Sequence, residues 1–284
     1  MKTSTEIGSL AKIVGEHRAV ELIGKAGFDA WDFSMGNLAK VDKTTQALVD
    51  HPLNSNGYLK FVRELKKIGE AYGMVCNQSH APSPTNLISL DSLKRAIECT
   101  AEAGGKICVI HPWNNGTVAE NTAFYHSLLP FAKSCGVKIA TENMWNWEKD
   151  APTSCFAACA TGKNFLEQME AVNDPDFVAC LDLGHAEMRG SGDGAPHMIR
   201  TLGHHLQALH IHDNDRLRDK HQIPFSMGMD FGEIAEALKE IGYSGYLTLE
   251  AYCYLKAYME ETVFEGVKKL LESAKRFDEM IALV

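Results

Sequence analysis

The amino-acid sequence predicts a (β/α)8 barrel that occupies residues 1–284 as one domain. One local pattern recurs along the chain: a helical stretch, often a glycine, a short apolar run and then a polar or ionisable residue. The pattern can be followed through eight units, and 284 residues are enough for eight βα units of a barrel. No Pro-rich or Ser-rich linker divides the sequence. We therefore treat the chain as a single domain.

The short apolar runs are typical of parallel strands that are buried on both faces, and a preceding glycine fits the end of a helix. In chain order, the predicted strands lie at residues 6–10, 27–33, 73–80, 105–111, 136–142, 177–182, 206–210 and 245–250. Apolar residues at helical spacing predict the helices that separate them. These helices are expected at residues 15–26, 57–72, 91–104, 118–135, 163–172, 194–205, 231–241 and 257–277.

An open, doubly wound α/β sheet is the alternative fold, since its strands and helices can have similar spacing. Two features argue against it. No Gly-x-Gly-x-x-Gly turn follows the first predicted strand. Ionisable residues also end strands all along the chain, whereas an open sheet would gather them at one topological switch point. The barrel is the favoured prediction.

Charge and composition limit which binding partners and which cellular compartment we expect. The 28 Lys and Arg residues against 37 Asp and Glu give a net charge of −9, which disfavours nucleic acid and anionic membranes as partners. No apolar segment has the length of a signal peptide or a membrane span, so we expect a soluble, cytoplasmic protein. The eight cysteines form no Cys-x-x-Cys pair and are expected to be reduced core residues.

Metal-ligand residues follow the predicted strands. In a barrel, the C-terminal strand ends converge on one mouth. Here they carry His80, His111, Glu142, Asp182 with His185, His210 with His212, and Glu250. So many ionisable groups would repel one another or stay unpaired without a divalent cation. Nitrogen and oxygen ligands without thiolates favour Zn²⁺ or Mn²⁺, with Co²⁺, Fe²⁺ and Mg²⁺ as further options.

An ordered set of motifs between residues 25 and 252 resembles the xylose-isomerase-like TIM-barrel superfamily. This superfamily holds sugar and sugar-phosphate isomerases and epimerases together with endonuclease IV. The matching motifs are Thr141-Glu-Asn143, Leu181-Asp-Leu-Gly-His185, His210-Ile-His-Asp213, Asp219-Lys-His221 followed by Pro224-Phe-Ser-Met-Gly-Met-Asp230, and the terminal Glu250.

The isomerase and epimerase branch implies one metal ion, held by Glu142, Asp182, His210 and Glu250. Glu142 and Glu250 would be the base and acid that move a proton through an enediolate while the metal stabilises its oxygens. The substrate would then be a small sugar or sugar phosphate.

The resemblance also implies residues that contact this substrate. His185 and Arg216 would contact substrate oxygens. His212 shares a strand face with His210 and would lie beside it as a supporting or substrate-binding residue. Trp113 and Trp145 follow strand ends and could form a wall for a sugar ring, or simply cap the barrel core. The oligomeric state stays open, with a homo-oligomer as one option.

The endonuclease IV branch implies nine ligands for three zinc ions. The residues at matching positions are His80, His111, Glu142, Asp182, His185, His210, Asp219, His221 and Glu250. Several cations would suit phosphate-ester cleavage. However, the predicted mouth loops at 143–150 and 213–220 are mixed or acidic in charge, unlike a DNA-binding face. A metal-dependent isomerase or epimerase is therefore preferred over a multi-zinc phosphoesterase, an endonuclease, or another metal-dependent sugar lyase or hydrolase.

Overall fold

Eight parallel strands form the barrel that the sequence predicts. The computed structural model describes residues 1–284. Its strands are β1 (Lys2–Glu6), β2 (Ala30–Ser34), β3 (Val75–His80), β4 (Ile107–Val109), β5 (Lys138–Glu142), β6 (Phe177–Asp182), β7 (Leu206–His210) and β8 (Tyr246–Leu249). They are ordered β7-β6-β5-β4-β3-β2-β1-β8. A parallel bridge between Ile211 and Leu249 brings the two outer strands together, so the sheet closes on itself.

Ten α-helices surround or cap the strands. They are α1 (Gly8–Val14), α2 (Glu16–Ala26), α3 (Tyr58–Ala71), α4 (Leu90–Ala103), α5 (Val118–Ser134), α6 (Gly162–Val172), α7 (Leu183–Glu187), α8 (Ala195–Leu202), α9 (Phe231–Glu240) and α10 (Val263–Leu283). None of them is long and apolar enough to cross a bilayer.

The prediction of the first strand is wrong. Residues 2–6 form β1, and residues 8–14 form a helix in place of the second half of the predicted strand. The reason lies in Glu6, whose carboxylate accepts a hydrogen bond from the Ser9 backbone N–H at 3.0 Å and so stabilises the first turn of α1. The strand itself is Thr-Ser-Thr rather than apolar, and its hydroxyls have partners: Ser4 Oγ donates to Asn77 Oδ1 and Thr3 Oγ1 donates to Asp29 Oδ2.

Most of the core lies between the barrel and its helices, where 65 buried apolar residues form one cluster. A second cluster of five small side chains from β4 to β7 fills part of the barrel interior. On the opposite side of the interior, hydrogen bonds join polar residues of β1, β2, β3 and β8. Asn77 Nδ2 donates to Thr248 Oγ1, and Gln78 Nε2 donates to Asp32 Oδ2. This network leads up to the mouth.

The cysteines form no disulfide, and five of the eight are buried. The expectation of core residues is wrong for Cys135, Cys155 and Cys253, which are partly exposed because they lie outside the apolar strands and helix faces.

Candidate metal centre at the barrel mouth

Four ligand side chains meet at the C-terminal end of the barrel. Glu142 ends β5, Asp182 ends β6, His210 ends β7, and Glu250 directly follows β8. One donor atom from each lies within 4.8 Å of the others. The parallel pairing of Asp182 with His210 places these two ligands side by side on neighbouring strands. Residues far apart in sequence therefore converge as the barrel geometry requires.

The atoms of this group face one another at short range. Glu142 Oε2 lies 3.2 Å from His210 Nδ1, which in turn lies 3.7 Å from Glu250 Oε2. Asp182 and His210 are completely buried, and Glu142 is 1% exposed. Glu250 is more open and faces the cavity above. Three carboxylates and one imidazole are thus held together with little access to water.

The residues present fit a divalent cation. Asp182 Oδ2 and His210 Nδ1 are buried yet make no hydrogen bond of acceptable geometry. Buried polar atoms without partners are costly, and an ion bound among them would remove that cost. The donors are nitrogen and oxygen atoms, which is the set that Zn²⁺ and Mn²⁺ accept.

Further ligand-type side chains adjoin this group on two sides. On one side, His111 Nε2 lies 3.1 Å from Glu142 Oε2 and 2.8 Å from His80 Nε2. On the other side, Asp182, His185, His212 and His221 form a buried cluster whose donor atoms also lie within 4.8 Å of one another. Asp219 Oδ1 lies 2.9 Å from His221 Nε2. All nine residues that match the endonuclease IV pattern therefore gather at one mouth.

The two glutamates of the centre have pKa values shifted in opposite directions. Burial disfavours the ionised form of both. For Glu142, the nearby imidazoles of His210 and His111 outweigh burial and hold its pKa well below the ordinary value. For Glu250, burial dominates and raises the pKa to about 7, with the imidazole of His210 opposing this shift and the charge of Glu142 adding to it. Such a split is typical of acid and base pairs in active sites.

A cavity of about 480 Å³ lies above the ligands. Its lining includes Glu142, His185, Glu250, Trp145 and Tyr252. A volume in this range is usual for a small-molecule site. The lining is mostly polar, which suits a ligand rich in hydroxyl groups.

The comparison with known families decides the classification. The family model described as "Xylose isomerase-like TIM barrel" matches residues 20–278. The chain belongs to this family.

Two curated relatives and one solved structure cover between 82% and 99% of this chain. An uncharacterised protein of Methanocaldococcus jannaschii is 26% identical over an alignment of 251 positions, which covers 82% of this chain and 78% of that protein. The fructoselysine 3-epimerase of Shigella flexneri is 22% identical and covers 92% of both chains. The crystal structure of a D-tagatose 3-epimerase-like protein superposes with a TM-score of 0.72 at 21% identity and covers 99% of this chain and 98% of its own. At that identity, the structural likeness establishes the shared fold.

Three of the residues expected to contact substrate do not line this cavity. Arg216 Nε is 3.2 Å from Glu187 Oε2 and does not line the cavity, since the 213–220 loop turns its side chain toward α7. His212 is completely buried and lies 3.0 Å from Asp182 Oδ1, because it packs beneath the site against Gly184. Trp113 packs on Phe124 and also lies outside the cavity lining.

Two polar residues of the site, Asp32 and Gln78, were not identified from the sequence, and a third, Asn143, was identified only as part of the motif Thr141-Glu-Asn143. Asp32 lies inside the predicted strand 27–33 and belongs to none of the matching motifs, yet its Oδ2 lies 3.3 Å from His210 Nε2. Gln78 donates to the same oxygen of Asp32. Asn143 bonds both ends of the Asp182 backbone unit, accepting from its N–H at 2.7 Å and donating to its carbonyl at 2.9 Å. A carboxylate between the apolar residues Trp31 and Phe33 was the available signal for Asp32.

Proposed function

We propose that this protein is a divalent-metal-dependent isomerase or epimerase of a sugar or sugar phosphate. The observation that carries the proposal is the meeting of Glu142, Asp182, His210 and Glu250 beneath an open polar cavity. The names of two relatives, a fructoselysine 3-epimerase and a D-tagatose 3-epimerase-like protein, support a sugar as substrate. Zn²⁺ and Mn²⁺ are the metals that the donor set favours.

Glu142, Asp182, His210 and Glu250 would hold the metal ion. When bound there, a divalent cation would draw electron density from sugar oxygens and so acidify the neighbouring C–H group. Asp182 and His210 are too deeply buried to touch a sugar, so their contribution is to the ion. Asp32 and Asn143 would orient these two ligands through the hydrogen bonds that they make from behind.

Glu142 and Glu250 are the proposed acid and base. Both line the cavity, and they come from different strands of the barrel. A sugar carbon held between them could lose a proton to one carboxylate and regain a proton from the other. Return to the same carbon from the opposite side inverts that centre, whereas return to the adjacent carbon of the enediolate gives the isomer.

His185 and Trp145 are the proposed substrate-binding residues. His185 Nδ1 lies 2.9 Å from the Asn143 carbonyl oxygen, which fixes the ring, and its Nε2 lies 3.5 Å from Asp219 Oδ2, another residue of the cavity lining. Trp145 lines the same cavity with its ring centroid 6.3 Å from that of His185. An indole face beside imidazole donors suits the C–H and O–H groups of a sugar.

Solvent deuterium exchange tests this proposal. The metal-loaded protein is incubated in D2O with ketohexoses and their phosphates, and NMR follows the loss of the proton next to the carbonyl. Wild-type protein should exchange it, whereas Glu142→Gln and Glu250→Gln should each abolish exchange. The exposed Glu261→Gln serves as a matched control that should retain it. Undiminished exchange in both site variants would overturn the assignment of acid and base.

Multi-metal phosphoester cleavage is the second candidate. The assembly of all nine ligand-type residues at the mouth favours it, because several cations could clamp the attacking and leaving oxygens. The net charge of −9 argues against a nucleic acid as substrate. Hydrolysis of bis(p-nitrophenyl) phosphate by zinc-loaded protein, lost in His221→Ala, would support this candidate. Absence of hydrolysis would leave the isomerase as the better account.

A further inference from the structure

A second cavity adjoins the proposed active site. It has a volume of about 430 Å³ and lies between the start of α1 and the loop that follows β2. The two cavities share the lining residues His80, Ser83, Glu250 and Tyr252. A ligand seated over Glu250 can therefore extend from one cavity into the other.

The size of the two cavities exceeds what one sugar ring needs. The cavity over the metal ligands already has the volume of a usual small-molecule site. The adjoining cavity is nearly as large, and most of its lining is polar. A second polar moiety on the substrate would fill it, whereas a free hexose would leave it to water.

Internal partners already engage Glu6 and Glu16, the two glutamates that line the adjoining cavity alone. Glu6 accepts hydrogen bonds from the Ser9 backbone at 3.0 Å and from Ser34 Oγ at 3.1 Å. Glu16 Oε1 lies 2.8 Å from His51 Nε2 and accepts from Asn37 Nδ2 at 3.2 Å. The carboxylates of Glu6 and Glu16 therefore already have hydrogen-bond partners within the cavity wall.

The two lysines of the same cavity have no such partners. Lys12 and Lys40 both line it, are exposed, and form no ion pair or side-chain hydrogen bond within the chain. Glu250, the third carboxylate of the lining, is assigned to the metal centre. The charges of Lys12 and Lys40 are therefore free to interact with a ligand, and they would attract an anion.

We propose that the adjoining cavity is a subsite for an anionic substituent, so that the substrate is a ketose that carries a phosphate or carboxylate group. This inference rests on the proposed sugar isomerase or epimerase activity, since it places the sugar itself over Glu142 and Glu250. Lys12 and Lys40 contact the anionic group and thereby select charged sugars over neutral ones.

Calorimetric binding to the Mn²⁺-loaded protein tests the subsite. The probes are D-fructose, D-fructose 6-phosphate and fructosylglycine, so that the neutral sugar is compared with a phosphate and with a carboxylate. At least one charged probe should bind about tenfold more tightly than D-fructose, as expected for two exposed charge contacts. The double variant Lys12→Met with Lys40→Met should bring the two affinities within about threefold. Lys43→Met, an exposed lysine outside the cavity, is the matched control and should keep the preference.

The outcomes separate this inference from the proposed function. Equal affinity for neutral and charged probes, or a preference that survives in the double variant, would overturn the anionic subsite. If D-fructose still exchanges its proton with D2O in that case, the isomerase assignment stands without the subsite. If no probe binds and none exchanges, both proposals fail. The melting temperatures of the lysine variants should match wild type, since both side chains are exposed.

Discussion

The pairing of Asp32 with His210 predicts a measurable effect on metal affinity. Asp32 Oδ2 lies 3.3 Å from His210 Nε2, and this contact leaves Nδ1 facing Glu142 and Glu250. A carboxylate in this position fixes the ring and makes the imidazole a stronger ligand. Asp32→Asn keeps the side-chain shape but removes the charge, so it should weaken the binding of Mn²⁺.

The structure sets the expected magnitude. Loss of such a supporting contact weakens metal binding by about 10- to 100-fold, or roughly 1.4–2.7 kcal/mol. The contact here is longer than the ~2.8 Å of strong charge-assisted hydrogen bonds, and Gln78 shares the accepting oxygen. We therefore expect an effect near the lower limit, about tenfold.

Titration of metal-free protein with Mn²⁺, followed by electron paramagnetic resonance of the free ion, gives the dissociation constant directly. Asp29→Asn is the control, since it makes the same chemical change at an exposed residue that directly precedes β2 and lies at the end of the strand away from the mouth. The metal-free melting temperature of Asp32→Asn should stay at or above that of wild type, because Asp32 Oδ1 is buried without a partner. Unchanged Mn²⁺ affinity in Asp32→Asn would refute the reasoning.

Three other predictions concern stability. First, Mn²⁺ at 100 times its dissociation constant should raise the melting temperature of the metal-free protein by about 5 °C or more, because the ion binds only the folded state. EDTA should reverse this shift. An unchanged melting temperature in calorimetry would argue against an ion at the mouth. Second, the hydrogen bond with His51 lowers the pKa of Glu16. The ionised Glu16 therefore stabilises the fold above the pKa that it has in the unfolded chain, and this stabilisation is lost as pH falls through the lower pKa of the folded state. In urea titrations, Glu16→Gln should accordingly lose less stability than wild type below about pH 5. An unchanged dependence of the unfolding free energy on pH would contradict this. Third, Leu65→Ala should lower the free energy of unfolding in urea by about 2–5 kcal/mol, because Leu65 is completely buried. Leu87→Ala is the control and should lower it by under about 0.5 kcal/mol, because Leu87 is 76% exposed. Equal losses in the two variants would contradict the assignment of Leu65 to the core.

The sequence predicted the fold and the ring of strand-end ligands because both follow from short-range pattern. Each of Glu142, Asp182, His210 and Glu250 stands at the end of a mainly apolar strand, and the closed barrel brings such positions together. No knowledge of loop conformation is needed for this step.

Contacts between residues far apart in sequence and the conformations of loops could not be predicted from these short-range patterns. Asp32 and His210 are 178 residues apart, and only the curvature of the closed sheet makes them neighbours. Arg216 has a φ of 60°, and its loop turns its side chain to Glu187 rather than to the cavity. The strand β1 escaped because its Thr-Ser-Thr segment lacks the apolar pattern that identifies buried strands.

Elemental analysis of untagged wild-type protein tests the central claim most directly. We predict about one divalent metal ion per chain, Mn²⁺ or Zn²⁺ above all, held by Glu142, Asp182, His210 and Glu250. Two or three zinc ions per chain would instead make His80, His111, Asp219 and His221 ligands and favour phosphoester cleavage. Protein that is free of metal and takes up none on incubation with Mn²⁺, Zn²⁺ or Co²⁺ would contradict the proposed metal centre itself.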